Sequence, residues 1–246
     1  MQSTGKTILI TGGGSGIGAA LAHEFHAAGN QVIIAGRRRG ALDAVVAAHP
    51  GMAAMVLDMA DPAAITAFAS QLVADFPALD AVLLNAGIMV AEEKIDLAIA
   101  EATIATNLLG PIRLAHALLP HLEARPAATI LTVSSGLAFV PLAATPTYSA
   151  TKAAIHSWSL SMREQLKDTS VEVVEIVPPG VQTDLMPGHA ENDQMMPLAE
   201  FMAETMALLR QEPTPAEIHV ERVRFLSEAT KRGEFAQVFG ILNGAH

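Results

Sequence analysis

The chain has 246 residues and a net charge of −10, from 15 Lys and Arg against 25 Asp and Glu; a surface of that sign repels phosphate backbones and anionic lipid, so neither nucleic acid nor a membrane is an expected partner. It contains no cysteine, which excludes disulfides, thiolate metal sites and a disulfide-stapled secreted scaffold. Hydrophobic residues make up 51% and charged residues 16%, more apolar surface than one small monomer readily hides, so a deep core and a subunit interface are expected.

The leading MQSTGKT lacks the basic-then-apolar pattern of a signal peptide, and no apolar run approaches the ~20 residues that span a bilayer, which sets the expectation of a soluble, cytoplasmic protein. TILIT (7–11), QVIIA (31–35), MAAMVL (52–57), DAVLLN (80–85), TILTVS (129–134) and VEVVEIV (171–177) read as buried strands. Between them, 16–29, 39–48, 61–75, 93–120 and 147–168 have the length and composition of helices, the third opened by Asp61 as a cap with Pro62 in its first turn. This alternation predicts a single α/β domain of Rossmann type, a doubly wound parallel sheet with helices on both faces. Ligands of such sheets lie beyond the carboxyl ends of the strands. After residue 180 the pattern lapses, and a stretch at about 183–212 carries Met186, Met195, Met196, Phe201, Met202 and Met206. It reads as a lid inserted over a substrate or as plain helix packing. A last helix is expected near 214–229.

The motifs follow the strand ends. TGGGSGIG (11–18) joins the first strand to the first helix. There Gly12 permits a tight turn, Gly16 lets backbone amides approach a pyrophosphate and Gly18 lets helix and sheet pack closely, with the helix N-terminus favouring the negative charge. The second strand ends in AGRRRGALD, with Gly36 where a site for NAD usually places an acid, followed by Arg37, Arg38 and Arg39. Cations suit a ribose 2′-phosphate, so NADP is the expected cofactor and NADPH is expected to be preferred over NADH, with Arg37 the foremost phosphate ligand. Asp58 ends the third strand within reach of an adenine amino group, and Asn85-Ala86-Gly87 lets the backbone pass close to the adenosine ribose.

Tyr148 is the only tyrosine in the chain, and Lys152 follows it by four residues, so on a helix the two share a face. Bringing a phenol from ~10 to neutrality takes roughly three units, or ~4 kcal/mol. An ammonium ~4 Å away at an effective dielectric of about 20 supplies on the order of 4 kcal/mol. Ser134 and Ser135 fall where the fifth strand should end, placing a hydroxyl donor beside the carbonyl that the phenol would protonate.

TGGGSGIG, Asp58, the NAG of 85–87, Asn107 in TNLLG, Ser135, Tyr148 with Lys152, and PPGVQT at 178–183 occur in this order, and together they resemble the short-chain dehydrogenase/reductase family over essentially the whole chain. The resemblance selects Ser135 over Ser134, because the family's serine lies 13 residues before its tyrosine. It implies Tyr148 as proton donor, Ser135 as the carbonyl orienter, Lys152 as the group that lowers the phenol's pKa and bonds the nicotinamide ribose, and Asn107 as holder of a relay water. It also implies carboxamide or pyrophosphate contacts from Val181 and Thr183, with Pro178 and Gly180 beside them, and places Ser15, Ile17, Arg38 and Met59 among the cofactor contacts. Two residues depart from the family pattern: Leu84 precedes Asn85 where a second asparagine is usual, and Ser15 stands where many NADP-preferring members carry a base. PPGVQTDL and MPLAEFMAETMALL further resemble a bacterial DltE-like subgroup.

The expected activity is hydride transfer between NADP(H) and a carbonyl or secondary alcohol of a small, largely apolar substrate, bordered by Ile88, Met89, Leu137, Phe139, Met186 and Phe201. A non-catalytic dinucleotide-binding redox sensor is the alternative from another class, and a sugar-nucleotide epimerase shares the tyrosine and lysine. A homodimer or homotetramer built through 93–120 and 147–168 is expected from the resemblance. His23 and His26 read as structural or exposed rather than metal ligands, and Trp158 as core or interface.

Overall fold

The structure is a computed structural model that describes residues 4–94 and 96–244. Seven strands form one sheet in the order β3-β2-β1-β4-β5-β6-β7, and every neighbouring pair is parallel. They are β1 (Thr7–Thr11), β2 (Gln31–Gly36), β3 (Ala53–Val56), β4 (Leu79–Leu84), β5 (Ala128–Val133), β6 (Val171–Val177) and β7 (Glu217–His219). The strand order reverses between β1 and β4, and the crevice at such a reversal is where a doubly wound sheet binds its ligand.

Side chains alternate across each strand, so Ile8 and Ile10 of β1 face one core while Leu9 faces the other. Both cores are buried, which is why the central strands are almost continuous apolar runs. The first core is covered by α1 (Gly16–Ala27), α2 (Arg39–Ala48) and α7 (Leu198–Leu209), through Leu21, Phe25, Leu42, Phe201 and Met206. The second is covered by α3 (Pro62–Asp75), α5 (Gly110–Glu123) and α6 (Pro146–Gln165), through Phe68, Leu72, Leu118 and Trp158. Asp61 starts α3 by accepting from the Ala63 and Ala64 amides at 2.8 and 3.1 Å, and Asp96 starts α4 (Leu97–Ile104) in the same way.

Three expectations need correction. The helix expected over 93–120 begins only after the Asp96 cap, and a π-helical turn at Ala105–Leu109 joins α4 to α5. The helix expected near 214–229 is instead the edge strand β7, a 3₁₀ turn at Glu221–Val223 and a short α8 (Arg224–Ser227). The cause is tertiary: β6 offers an open edge, and Glu217, Ile218 and His219 pair with Glu175, Ile176 and Val177. The stretch 183–212 divides, its second half being the core helix α7, with Phe201, Met202 and Met206 buried. A further helix, α9 (Phe235–Gly244), follows α8.

Candidate active site

One cleft of about 610 Å³ runs along the carboxyl ends of the strands. Its nucleotide end is made mostly of backbone. Gly12 has φ +70°, and a Cβ there would lie 2.9 Å from the Ala86 Cα; a Cβ on Gly18 would strike the Gly12 carbonyl. Neither position admits a side chain, so the β1–α1 turn sits tight against the Asn85-Ala86-Gly87 turn. The buried Thr11 hydroxyl staples the two turns, accepting from the Asn85 and Ala86 amides at 3.0 and 3.1 Å and donating to Leu83 O at 3.2 Å. Ser15 stands at the N-cap of α1 without a side-chain capping bond, which leaves the opening amides of that helix as donors for an anion. Gly16, Ile17 and Gly18 line the cleft with it.

Arg37 and Arg38 also line the cleft and are exposed, with Arg38 Nη2 donating to Ser15 Oγ at 3.1 Å. Arg39 is turned away into an ion pair with Asp43 at 2.8 Å. Asp58 lies between the wall residues Leu57 and Met59 and is not itself part of the wall; one carboxylate oxygen accepts from the Ala60 amide at 2.9 Å. Asn85, Ala86 and Gly87 border the cleft from β4, and Pro178, Gly180, Val181 and Thr183 border it from β6. The donors, the glycine cradle and the two cations fit a pyrophosphate-containing nucleotide with a further phosphate on its ribose.

At the other end β5 runs into Ser134 and Ser135, both buried. Ser135 Oγ accepts from the Leu137 amide at 3.1 Å, which holds it at the mouth of the 3₁₀ turn Gly136–Ala138. Pro146 opens α6, so Tyr148 lies in its first turn and Lys152 in the next, both buried and both in the cleft wall with Ser135. Lys152 Nζ donates to Val133 O at 2.7 Å and sits 5.5 Å from the centroid of the Tyr148 ring.

Burial pushes the Tyr148 phenol well above its ordinary range, and a hydrogen bond with Ser135 opposes this only in part. Burial likewise pulls the Lys152 ammonium down to about 8, against the attraction of Glu175. The sequence estimate, in which one lysine comes near to offsetting the cost of the phenolate, left out the desolvation of both charges and needs correction on that point.

Asn107 is buried in the π-helical turn, and its side chain is fully engaged there. Oδ1 accepts from Ile88 N and Nδ2 donates to Ile88 O, both at 2.8 Å, with Thr151 Oγ1 at 3.4 Å. It clamps the segment after β4 to the helix that packs against α6.

Of the apolar residues expected to border a substrate, Ile88, Met89 and Leu137 line the cleft. Phe139, Met186 and Phe201 are not part of it; Phe201 is wholly buried in the first core, and Phe139 packs on the His156 ring at 4.6 Å. Leu142, Leu226 and Leu242 complete the wall in their place, joined by Asp184, Leu185, His189 and Met195 from the front of the 183–212 stretch.

The family model described as short chain dehydrogenase matches residues 6–194. The chain belongs to this family. It is 37% identical to the uncharacterized oxidoreductase DltE of Bacillus subtilis (strain 168) over 99% of this chain and 98% of the other. A short-chain dehydrogenase from Streptomyces avermitilis superposes with a TM-score of 0.82 at 27% identity, covering 100% of both chains. A short chain dehydrogenase from Burkholderia cenocepacia J2315, solved in complex with NADP, superposes with a TM-score of 0.77 at 27% identity over 88% of this chain and 96% of that one.

As a short-chain dehydrogenase the protein is an oxidoreductase, and its other polar groups can be placed against that background. Among the described residues no helix is long and apolar enough to cross a membrane. His23 pairs with His49 at 2.8 Å on the surface. The metal-like grouping among the described residues is another one, His156, Glu175 and Glu217, with His156 one turn beyond Lys152 on α6. Motif reading missed it, as it missed Thr11, Leu142, Leu226 and Leu242. A threonine closing an apolar strand was the one visible sign of the first of these, and nothing local marks the leucines.

Proposed function

We propose that the protein transfers hydride between NADP(H) and a carbonyl or secondary alcohol of a small, largely apolar substrate, with Tyr148 as the general acid–base. The observation that carries this reading is that Ser135, Tyr148 and Lys152 share one cleft wall, in the same cleft as the glycine turn and Arg37 and Arg38. The NADP complex of the Burkholderia relative supports the cofactor. When bound, the nicotinamide ring donates or accepts the hydride and carries a positive charge in its oxidised form.

In the reducing direction the Ser135 hydroxyl donates to the carbonyl oxygen and orients it. Tyr148 delivers its proton to the same oxygen as negative charge develops there. Lys152 holds a positive charge behind the phenol and lowers the cost of the phenolate. Arg37 and Arg38 take the 2′-phosphate, while the amides opening α1 take the pyrophosphate. The Asn107 side chain is committed to Ile88, so any relay water is held through its main chain. The leucine-rich wall excludes bulk water and accepts apolar carbon.

Pairing of two chains through α4 to α6 is part of the same proposal. Leu97 is 71% exposed, and Ile104, Leu109 and Leu160 are exposed on the same set of elements. Sedimentation of dilute protein as a monomer would refute it.

The test is NADPH oxidation over a panel of aldehydes, ketones and diketones. Tyr148→Phe is expected to lose ~10²–10⁴ of turnover while NADPH still quenches Trp158 fluorescence or otherwise titrates as bound. Turnover retained in that variant overturns the acid–base role.

A further inference from the structure

Behind the catalytic wall, one face of α6 carries Lys152, His156, Ser159 and Arg163. This face lies on the sheet, where apolar side chains would be the cheaper choice. Each residue instead meets a polar group. Lys152 Nζ donates to Val133 O at 2.7 Å, Ser159 Oγ and Thr132 Oγ1 lie 2.8 Å apart, and Arg163 Nε donates to Val173 O at 3.2 Å. His156 Nδ1 reaches both carboxylate oxygens of Glu175 at 2.9 and 3.0 Å. Glu175 is wholly buried, and its β5 neighbour in register is Thr132.

We propose that Glu175, with His156 as its counter-ion, is the electrostatic positioning partner of Lys152 in turnover. The inference rests on the Tyr148 and Lys152 chemistry proposed above. Glu175 lies in the strand directly beneath the helix turn that follows Lys152, and it is the charged group that favours the Lys152 ammonium against burial. Its hydrogen bond raises the His156 pKa above the ordinary histidine value, so the imidazolium moderates the carboxylate charge felt by Lys152. The remaining charges facing the pair come from α6 and β7. Arg163 lies 3.6 Å from Glu217, and His219 Nε2 lies 3.3 Å from the same carboxylate. Arg163 thus sets a permanent positive charge beside Glu217, whose carboxyl is held below its ordinary value. Glu172 is exposed and on the other face of β6.

The sign of each variant follows. Glu175→Gln removes a negative charge, which lowers the proton affinity of the coupled Tyr148 and Lys152 pair as a whole. His156→Asn keeps a hydrogen-bond donor at the Nδ1 position but removes the positive charge, which raises it. Because the chain has one tyrosine, the near-ultraviolet band of tyrosinate reads this pair directly in protein saturated with NADP⁺, with no substrate needed. The first midpoint of that band is expected to move down in Glu175→Gln and up in His156→Asn, each by on the order of one pH unit. Midpoints unmoved in both, or moved in one direction in both, overturn the inference. If one variant fails to fold, the direction of the other decides. A wild-type complex whose phenol ionises only at or above ~10 would instead refute the Tyr148 and Lys152 reading itself.

Discussion

The two ends of the cleft are built by opposite means. At the nucleotide end the work is done by backbone: two glycine-tight turns, a stapling threonine and uncapped helix amides, with charge supplied by two exposed arginines. At the other end it is done by buried side chains, and Tyr148, Lys152 and Glu175 lie out of water together. Exposed cations recognise a phosphate nearly independently of one another, because solvent screens them. Buried charges are felt by all their neighbours, so a change at one moves the others. The nucleotide end should therefore respond to substitution residue by residue, and the other end as a unit.

The largest effect that tests this contrast is expected from Lys152→Met. Turnover should fall by ~10²–10⁴, measured as steady-state NADPH oxidation, with a much smaller change in NADPH affinity. A loss confined to affinity would place Lys152 with the nucleotide end. The wild-type pH profile carries the same information. The Lys152 ammonium is present below about 8 and lost above it, so carbonyl reduction should decline as pH rises through that value.

Cofactor choice should shift by less. At Gly36 an added Cβ would meet only Leu42 Cδ2 at 3.7 Å, so an acid fits there. Gly36→Asp with Arg37→Ser is expected to move the NADPH to NADH preference ratio by ~10–10² toward NADH, since a charge-assisted bond is worth about 1.5–3 kcal/mol. Maximal turnover with the better cofactor should hold. An unchanged ratio would remove the role given to Arg37.

The fold was legible where burial turns strands into apolar runs, as in β1, β2, β4, β5 and β6; β3, placed from its aliphatic composition, is an edge strand whose residues are half-buried or exposed. β7 is three residues between Pro215 and a 3₁₀ turn, and only pairing with β6 makes it a strand. The methionines of 195–206 suggested a lid as readily as a helix. Phe201 and Met206 lie in the first core, whereas Met195 lies beside Gly180 at the cleft, a division that no local pattern announces. At the site, the spacing of Ser135, Tyr148 and Lys152 revealed their neighbourhood but not the cost of burying them. The Glu175 signal was present in the sequence. Glu172 and Glu175 stand three apart in one strand, so they face opposite sides, and in a sheet covered on both faces one of them was bound for the interior.

The smallest effect is expected far from both ends. Asp61→Ala removes the cap of α3 and should cost about 1 kcal/mol of stability in denaturant unfolding without altering turnover or cofactor preference. A matching loss of activity would show that the two ends are coupled through the fold rather than through their charges.

The most direct measurement is the ionisation of Tyr148, the chain's only tyrosine, followed by its tyrosinate absorbance in the NADP⁺ complex of wild type and Lys152→Met. The wild-type phenol should ionise at a clearly lower pH than that of the variant, which should ionise only at or above the ordinary ~10. Ionisation at one and the same pH in both proteins would contradict the account, because the lysine would then contribute nothing to the phenol it stands behind.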